Sequence, residues 1–179
     1  MAFEYMQAFI VKAPAFFEFP FSIDVVDSLI KNFICYFRDK LVEMCNLCEE
    51  ELYSLLMMQH DKTAHQQMAD DGASLPWQTH HSHHHHYSPS SLSKKAVPNF
   101  ANLHFKTFLE LIATLYERET DQIVRCSREF TDPNCEGLYD FVFRNRAISA
   151  PSLKIAYLSM LTSLCKSAES ADAFFNFFK

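Results

Sequence analysis

The sequence predicts an all-α protein of stacked antiparallel helices, an α-solenoid fragment, with one disordered insert. Only two of its 179 residues are glycine, whereas β-hairpins and phosphate-binding loops use glycine at tight turns. Apolar residues make up 49% of the chain, and many recur at spacings of three and four, the period of a helical face. Two short amphipathic helices follow each other near the C-terminus, and such a pair needs neighbouring helices to bury its apolar faces.

The N-terminal part, residues 1–59, is expected to form the first helices of this solenoid. A short apolar helix is predicted over residues 3–11. An aromatic-rich break follows between Pro14 and Pro20, because proline interrupts helical hydrogen bonding.

From Ser22 to about Gln59 the pattern is helical again, and Ser22 followed by two aspartates is typical of a helix N-terminus. The stretch is either one long helix or two helices with a kink near residues 38–40, and the sequence leaves both open. Its predicted apolar face comprises Ile23, Val26, Leu29, Ile30, Phe33, Ile34 and Phe37, continued by Leu41, Met44, Cys45, Cys48, Leu52, Leu55 and Leu56.

The composition changes sharply over residues 60–98, where Gln, His, Ser, Asp and Pro dominate and helical periodicity is lost. Such a segment buries too little apolar surface to offset the entropy of ordering. It is also longer than ordinary loops within compact domains. We therefore predict a disordered insert that protrudes between the two helical parts.

Helical patterning resumes over residues 99–179, the C-terminal hairpins of the same solenoid. A wide apolar stripe predicts the first helix: Leu103, Phe105, Phe108, Leu109, Ile112, Leu115 and Tyr116. A weaker helical pattern covers residues 123–130 and ends at the turn signal Asp132-Pro133, and a short helix is predicted over residues 136–146. The chain as a whole is expected to contain six or seven helices and no strand.

The last two helices are predicted to form a tight hairpin over residues 149–179. Ser149 is a plausible cap, Pro151 suits a first helical turn, and Ser167 can cap the second helix. The apolar positions at helical spacing are Leu153, Tyr157, Leu161 and Leu164 in the first helix, and Ala171, Phe174, Phe175 and Phe178 in the second.

Composition also argues against some classes of binding partner. The formal net charge of −6 argues against a nucleic-acid or anionic-membrane surface. Charged residues interrupt every long apolar run, so no membrane span is expected, and Glu4 falls where a signal peptide would be basic. The six cysteines are interpreted as reduced intracellular thiols that pack as small hydrophobes.

Two local patterns suggest metal chemistry, and each has a simpler interpretation. The histidine tract contains His80, His81, His83, His84, His85 and His86. Exposed neutral histidines bind transition metals, but a defined site needs fixed geometry, so adventitious affinity in a low-complexity insert is favoured. Cys45 and Cys48 have CxxC spacing, which is half of a zinc site, but no second pair follows, and core cysteines are favoured.

The remaining polar and aromatic patterns also indicate structure rather than catalysis. The run Glu49, Glu50 and Glu51 reads as a solvated helix face. The aromatic clusters at residues 16–21 and 174–178 favour packing against another module, with core filling inside this chain as the alternative. No nucleophile is paired with a base, and no phosphate-binding or metalloprotease motif occurs. We therefore expect no enzyme, no cofactor, no small-molecule substrate, and no catalytic or metal-binding residue.

Four segments in order resemble the large α-solenoid scaffold nucleoporins of the nuclear pore inner ring. Residues 26–51 resemble an apolar helix of that family followed by an acidic run, and residues 99–124 resemble the next helix with its Leu-Ile-x-x-Leu-Tyr core. GLYDFVFRNR is similar to a Leu-Tyr-x-Phe-Val-Arg helix. APSLKIAYLSMLTSL and SADAFFNFF resemble the two helices that follow. Ala156, where the family usually has proline, departs from the pattern.

The resemblance implies an internal piece of the N-terminal solenoid of a much longer scaffold protein. It implies a structural role in the inner ring at the nuclear envelope, supporting nucleocytoplasmic transport and pore assembly. The implied partners are other inner-ring nucleoporins. Two alternatives stay open: a generic helical-repeat adaptor unrelated to the pore, and a metal-binding protein that uses the histidine tract.

Overall fold

The computed structural model describes residues 2–70 and 100–179, and within them the protein is all-α, as predicted. No strand occurs in these two ranges, which hold eight α-helices rather than the six or seven expected. The helices are α1 Ala2–Lys12, α2 Pro20–Tyr36, α3 Arg38–Asp70, α4 His104–Tyr116, α5 Asp121–Arg128, α6 Glu136–Arg144, α7 Pro151–Leu164 and α8 Ala168–Phe177, with 3₁₀ turns at Pro14–Glu18, Phe100–Leu103 and Asn145–Ala147.

The long N-terminal helical stretch is a kinked pair, the second of the two forms that the sequence allows. Phe37 separates α2 from α3 with φ −115° and ψ 34°. Hydrogen bonding nevertheless continues through the kink, since Phe37 N donates to Phe33 O at 3.0 Å and Leu41 N donates to Phe37 O at 2.9 Å. The predicted start at Ser22 is wrong, because Pro20 already occupies the first turn of α2.

The end of α3 differs from the prediction. The helix continues to Asp70, so residues 60–70 of the predicted disordered insert are helical. Residues 71–98, the rest of that insert, lie outside the described residues. By its packing the chain divides into one unit of Met1–Tyr53 with Asn99–Lys179 and a second unit, Ser54–Pro98, of which residues 54–70 are described as helix. The domain boundaries at residues 59 and 98 stay predictions.

In the larger unit α4 is the central helix. It packs against α1 and most extensively against α7, and it also contacts α2. Phe108, Leu109, Leu111 and Ile112 have no exposed surface, because they lie on an apolar face that spans more than half the circumference of this helix. Apart from half-buried Leu103, the predicted stripe is confirmed as core: Phe105, Phe108, Leu109, Ile112, Leu115 and Tyr116.

The two C-terminal helices begin largely as expected. Pro151 lies in the first turn of α7, and Ser167 caps α8 in a reciprocal capping box with Ser170. The predicted cap at Ser149 is wrong: Ala150 is the capping residue and makes no side-chain cap hydrogen bond. All four predicted apolar positions of α7 are buried.

The packing of these helices departs from a tight hairpin. Three residues join α7 to α8, but α7 packs chiefly on α4. In α8, Phe174 lies 6.3 Å and Phe177 4.0 Å from Phe143 of α6, measured between ring centroids. Phe175 and Phe178 remain 64% and 53% exposed, so the predicted apolar face of α8 is only partly covered.

Candidate functional site

An apolar groove lies where α1, the first 3₁₀ turn and the start of α2 meet. Its volume is about 440 Å³. Ser22 is the one polar residue among those that line it. The apolar lining includes Phe9, Ala13, Phe16, Phe19, Phe21 and Val25.

The local sequence explains why these phenylalanines surround a groove instead of forming one helical face. Two prolines, Pro14 and Pro20, begin the 3₁₀ turn and α2, so the chain changes direction twice within a few residues. Phe16 is buried and packs edge-on against Phe17 at 5.1 Å. Phe16 therefore belongs to the core and half-buried Phe17 packs against it, while Phe19 and Phe21 stay at the surface.

Exposure of the groove residues is unusually high for aromatic side chains. Phe9 is 62% exposed, Phe19 61% and Phe21 77%, and Val25 on the adjoining turn is 49% exposed. Contiguous apolar surface of this kind is typical of sites that bind another protein. The groove can take up apolar side chains, and its lining offers no acid, base or nucleophile beyond the Ser22 hydroxyl.

The groove corresponds to a cluster that the sequence already singles out, the aromatic run at residues 16–21. The sequence pattern does not indicate that Phe9 of α1 and Val25 of α2 also line the groove, because this depends on how the two helices meet across the prolines. The other aromatic cluster, residues 174–178, is divided: Phe174 and Phe177 pack inside the chain, whereas Phe175 and Phe178 face outward.

A second groove runs between α4 and α7 and is more polar. Its volume is about 540 Å³, and Thr114, Glu117 and Thr162 line it together with the apolar Ile155 and Leu158. Ile155 is 66% exposed. This surface mixes hydroxyl, carboxylate and aliphatic groups, so it lacks the uniform apolar character of the first groove.

Comparison with protein families, with curated proteins and with solved structures finds no match for this chain. Within the described ranges no helix is long and apolar enough to cross a membrane. The described residues also bring together no group of three or more His, Cys, Asp or Glu side chains able to hold a metal ion.

Of the two patterns that suggest metal chemistry, the structure describes only the cysteine pair. Cys45 and Cys48 are buried in the core, the arrangement favoured from the sequence. Burial, with smaller contributions from the charges of Glu49 and Cys48, raises the pKa of Cys45 to about 12, and burial also raises the pKa of Cys48. Both side chains are therefore thiols at neutral pH. The histidine tract, His80 to His86, lies outside the described residues.

A buried ionic cluster joins α2 to α4 and α5. Lys31 Nζ lies 2.8 Å from Asp27 Oδ2 and 3.1 Å from Glu129 Oε1, and 5.8 Å above the ring of Phe130. The Tyr116 hydroxyl donates a hydrogen bond to Asp27 Oδ1. Burial, followed by the charge of Asp27, raises the pKa of Tyr116 well above its ordinary value. Asp27 and Lys31 are less than 10% exposed, whereas the Glu129 side chain is about half exposed, so the cluster links the helices from the core to the surface.

Proposed function

We propose that this chain is a structural scaffold module of the nuclear pore inner ring that acts by packing against other proteins. The observation that carries the proposal is the apolar groove of α1 and α2, which stays open beside a completed core. Its aromatic lining suits the apolar anchors of a helix or short linear segment. The ordered resemblance of four segments to the large α-solenoid scaffold nucleoporins gives the partner class: other inner-ring nucleoporins.

The solenoid arrangement is part of this proposal. Exposed aromatic residues at two separate places, Phe21 in the first turn of α2 and Phe175 on α8, supply surfaces against which further helical units can stack. In this role the module takes part in pore assembly and supports nucleocytoplasmic transport as a structural element at the nuclear envelope. The proposal assigns no catalytic, cofactor-binding or metal-binding residue.

Localisation of a fluorescently tagged chain tests the proposal. The wild-type chain is expected to be enriched at the nuclear rim, and the variant Phe21→Glu/Val25→Glu is expected to lose that enrichment. Both side chains are exposed, so the core stays intact. The control is Ile155→Glu, an apolar residue in the more polar groove whose exposure lies between those of Phe21 and Val25, and it is expected to retain the rim signal.

The outcomes test the assignment to the nuclear pore and the choice of binding surface separately. A diffuse wild-type signal would contradict the pore assignment and favour a helical adaptor with another partner. Rim enrichment that survives Phe21→Glu/Val25→Glu but is lost in Ile155→Glu would move the binding surface to the groove between α4 and α7.

A further inference from the structure

The close approach of α2 and α6 places two of the free cysteines on facing elements. Gly137, in the first turn of α6, packs directly on Cys35 of α2: a Cβ on Gly137 would lie 3.0 Å from Cys35 Sγ and 3.7 Å from Cys35 Cα. The absence of a side chain at Gly137 lets the two backbones come this near. Since Gly137 is in the first turn of α6, Cys35 Sγ lies beside the beginning of that helix.

Cys135 is the residue that precedes α6. It makes no side-chain cap hydrogen bond, so its thiol is not committed to holding the helix end. Burial, then the charges of Asp132 and Glu129, raise the pKa of Cys135, and Lys31 and Cys35 act on the same thiol. Cys135 precedes Gly137 by two residues, so it lies at the end of α6 that packs on Cys35.

We propose that Cys35 and Cys135 form a redox-sensitive pair that a low-molecular-weight disulfide such as glutathione disulfide converts into a crosslink between α2 and α6. The Cys35 thiolate attacks one sulfur of the oxidant, forms a mixed disulfide and releases the first glutathione thiolate. The Cys135 thiolate then attacks Cys35 Sγ and expels the second. Two protein thiols are oxidised, one glutathione disulfide is reduced to two glutathione molecules, and the two thiol protons go to solvent or to the departing thiolates.

The exposure of the two residues sets the order of these steps. Cys35 is exposed and meets the oxidant first, whereas Cys135 is half-buried and its raised pKa leaves little thiolate to attack in solution. Once Cys35 carries the mixed disulfide, the electrophilic sulfur lies beside Cys135, and proximity compensates for the low thiolate fraction. Cys165, exposed in the linker between α7 and α8, is an internal control for simple glutathione attachment.

Peptide mass mapping after exposure of the folded chain to glutathione disulfide tests the pair. In the wild type we expect a Cys35–Cys135 crosslink and glutathione on Cys165. Cys135→Ser is expected to leave glutathione on Cys35, and Cys35→Ser is expected to leave Cys135 unmodified. The midpoint of thermal unfolding should rise on oxidation of the wild type and not of either variant, because the crosslink constrains a loop of about 100 residues.

Two results would overturn the proposal. One is a wild-type chain in which Cys35 keeps its glutathione while Cys135 is intact. The other is a crosslink from Cys35 to a different cysteine. Because both readings come from the wild-type protein, they do not depend on whether either serine variant folds.

Discussion

Glu49 of α3 caps the beginning of α7 through Ser149, a residue one hundred positions away in the chain. Its Oε1 accepts hydrogen bonds from Ser149 N at 2.7 Å, Ser149 Oγ at 3.0 Å and Ala150 N at 3.1 Å. Tyr53, one turn further along α3, donates to Ser149 Oγ at 2.9 Å. A carboxylate from one helix thus supplies the acceptor that the N-terminus of another lacks in its own sequence.

Removal of this carboxylate should destabilise the fold. Glu49→Ala is expected to cost about 1 kcal/mol in the free energy of unfolding, a typical value for loss of a helix cap. Glu49→Gln, which keeps an acceptor but loses the charge, should cost about 0.5 kcal/mol. Urea unfolding at neutral pH measures both values. The matched control is Glu50→Ala, an exposed neighbour on α3; equal effects of Glu49→Ala and Glu50→Ala would contradict the capping role.

The same contact should depend on pH. Partial burial alone would raise the pKa of Glu49, but hydrogen bonds from Ser149 and Ala150 and the charge of Lys154 outweigh it, so the pKa lies below its ordinary value. A lowered folded-state pKa gives stabilisation that is complete above the unfolded value of about 4.3 and is lost as pH falls through the folded value. The difference in stability between wild type and Glu49→Gln should therefore shrink between neutral pH and pH near 3. A difference that stays constant over this range would refute the explanation.

Glu49 also illustrates which features the sequence could predict. Local periodicity and capping signals placed the apolar stripe of α4, Pro151 in the first turn of α7 and Ser167 at the start of α8, because each depends on residues within a few positions. The acidic run predicts a solvated face, whereas Glu49 is half-buried and accepts hydrogen bonds from Ser149 and Ala150. Its partner lies on a distant segment, and no local pattern records that pairing.

The candidate groove shows the same limit. The prolines and the dense aromatic run marked residues 16–21 as unsuited to a single internal stripe. The sequence could not decide which phenylalanines would be covered, because Phe16 lies inside the 3₁₀ turn whereas Phe19 follows it in extended backbone. Likewise, Leu29 and Phe37 fit the helical period of α2 yet remain about half exposed, because the helices against α2 do not reach that side.

The buried cluster of α2 should respond strongly to loss of its cation. Lys31→Met is expected to cost about 3–5 kcal/mol, because Asp27 would keep a buried negative charge with Tyr116 as its remaining contact. The double variant Asp27→Asn/Lys31→Met should recover part of that loss, since the uncompensated charge is gone. Denaturant unfolding of the wild type, Lys31→Met, Asp27→Asn and the double variant gives the coupling energy between the two residues. Strictly additive losses would contradict the ion pair.

Two tyrosines should resist ionisation in the folded protein. Burial and Asp27 raise the pKa of Tyr116, and burial raises the pKa of Tyr157, whose hydroxyl donates to Val142 O at 2.8 Å, to about 12. Because both folded-state values are raised, stability is complete below the unfolded pKa of about 10 and declines as pH rises above it. Absorbance titration should show a late tyrosinate component that Tyr116→Phe/Tyr157→Phe removes. Persistence of that component in the double variant would assign it to other residues.

The contact between Gly137 and Cys35 predicts an interaction between two substitutions. Gly137→Ala alone should give no increase in stability, since the new Cβ meets Cys35 Sγ at 3.0 Å and the sulfur must move. In a Cys35→Ala background the same change should stabilise α6 by about 0.5–1 kcal/mol, the usual advantage of alanine over glycine in a helix. Thermal and urea unfolding of the four proteins in this cycle, under reducing conditions, measures the difference. An equal gain in stability in both backgrounds would show that the Cys35 side chain moves aside at no cost. Gly137 would then not be required for the approach of α2 and α6.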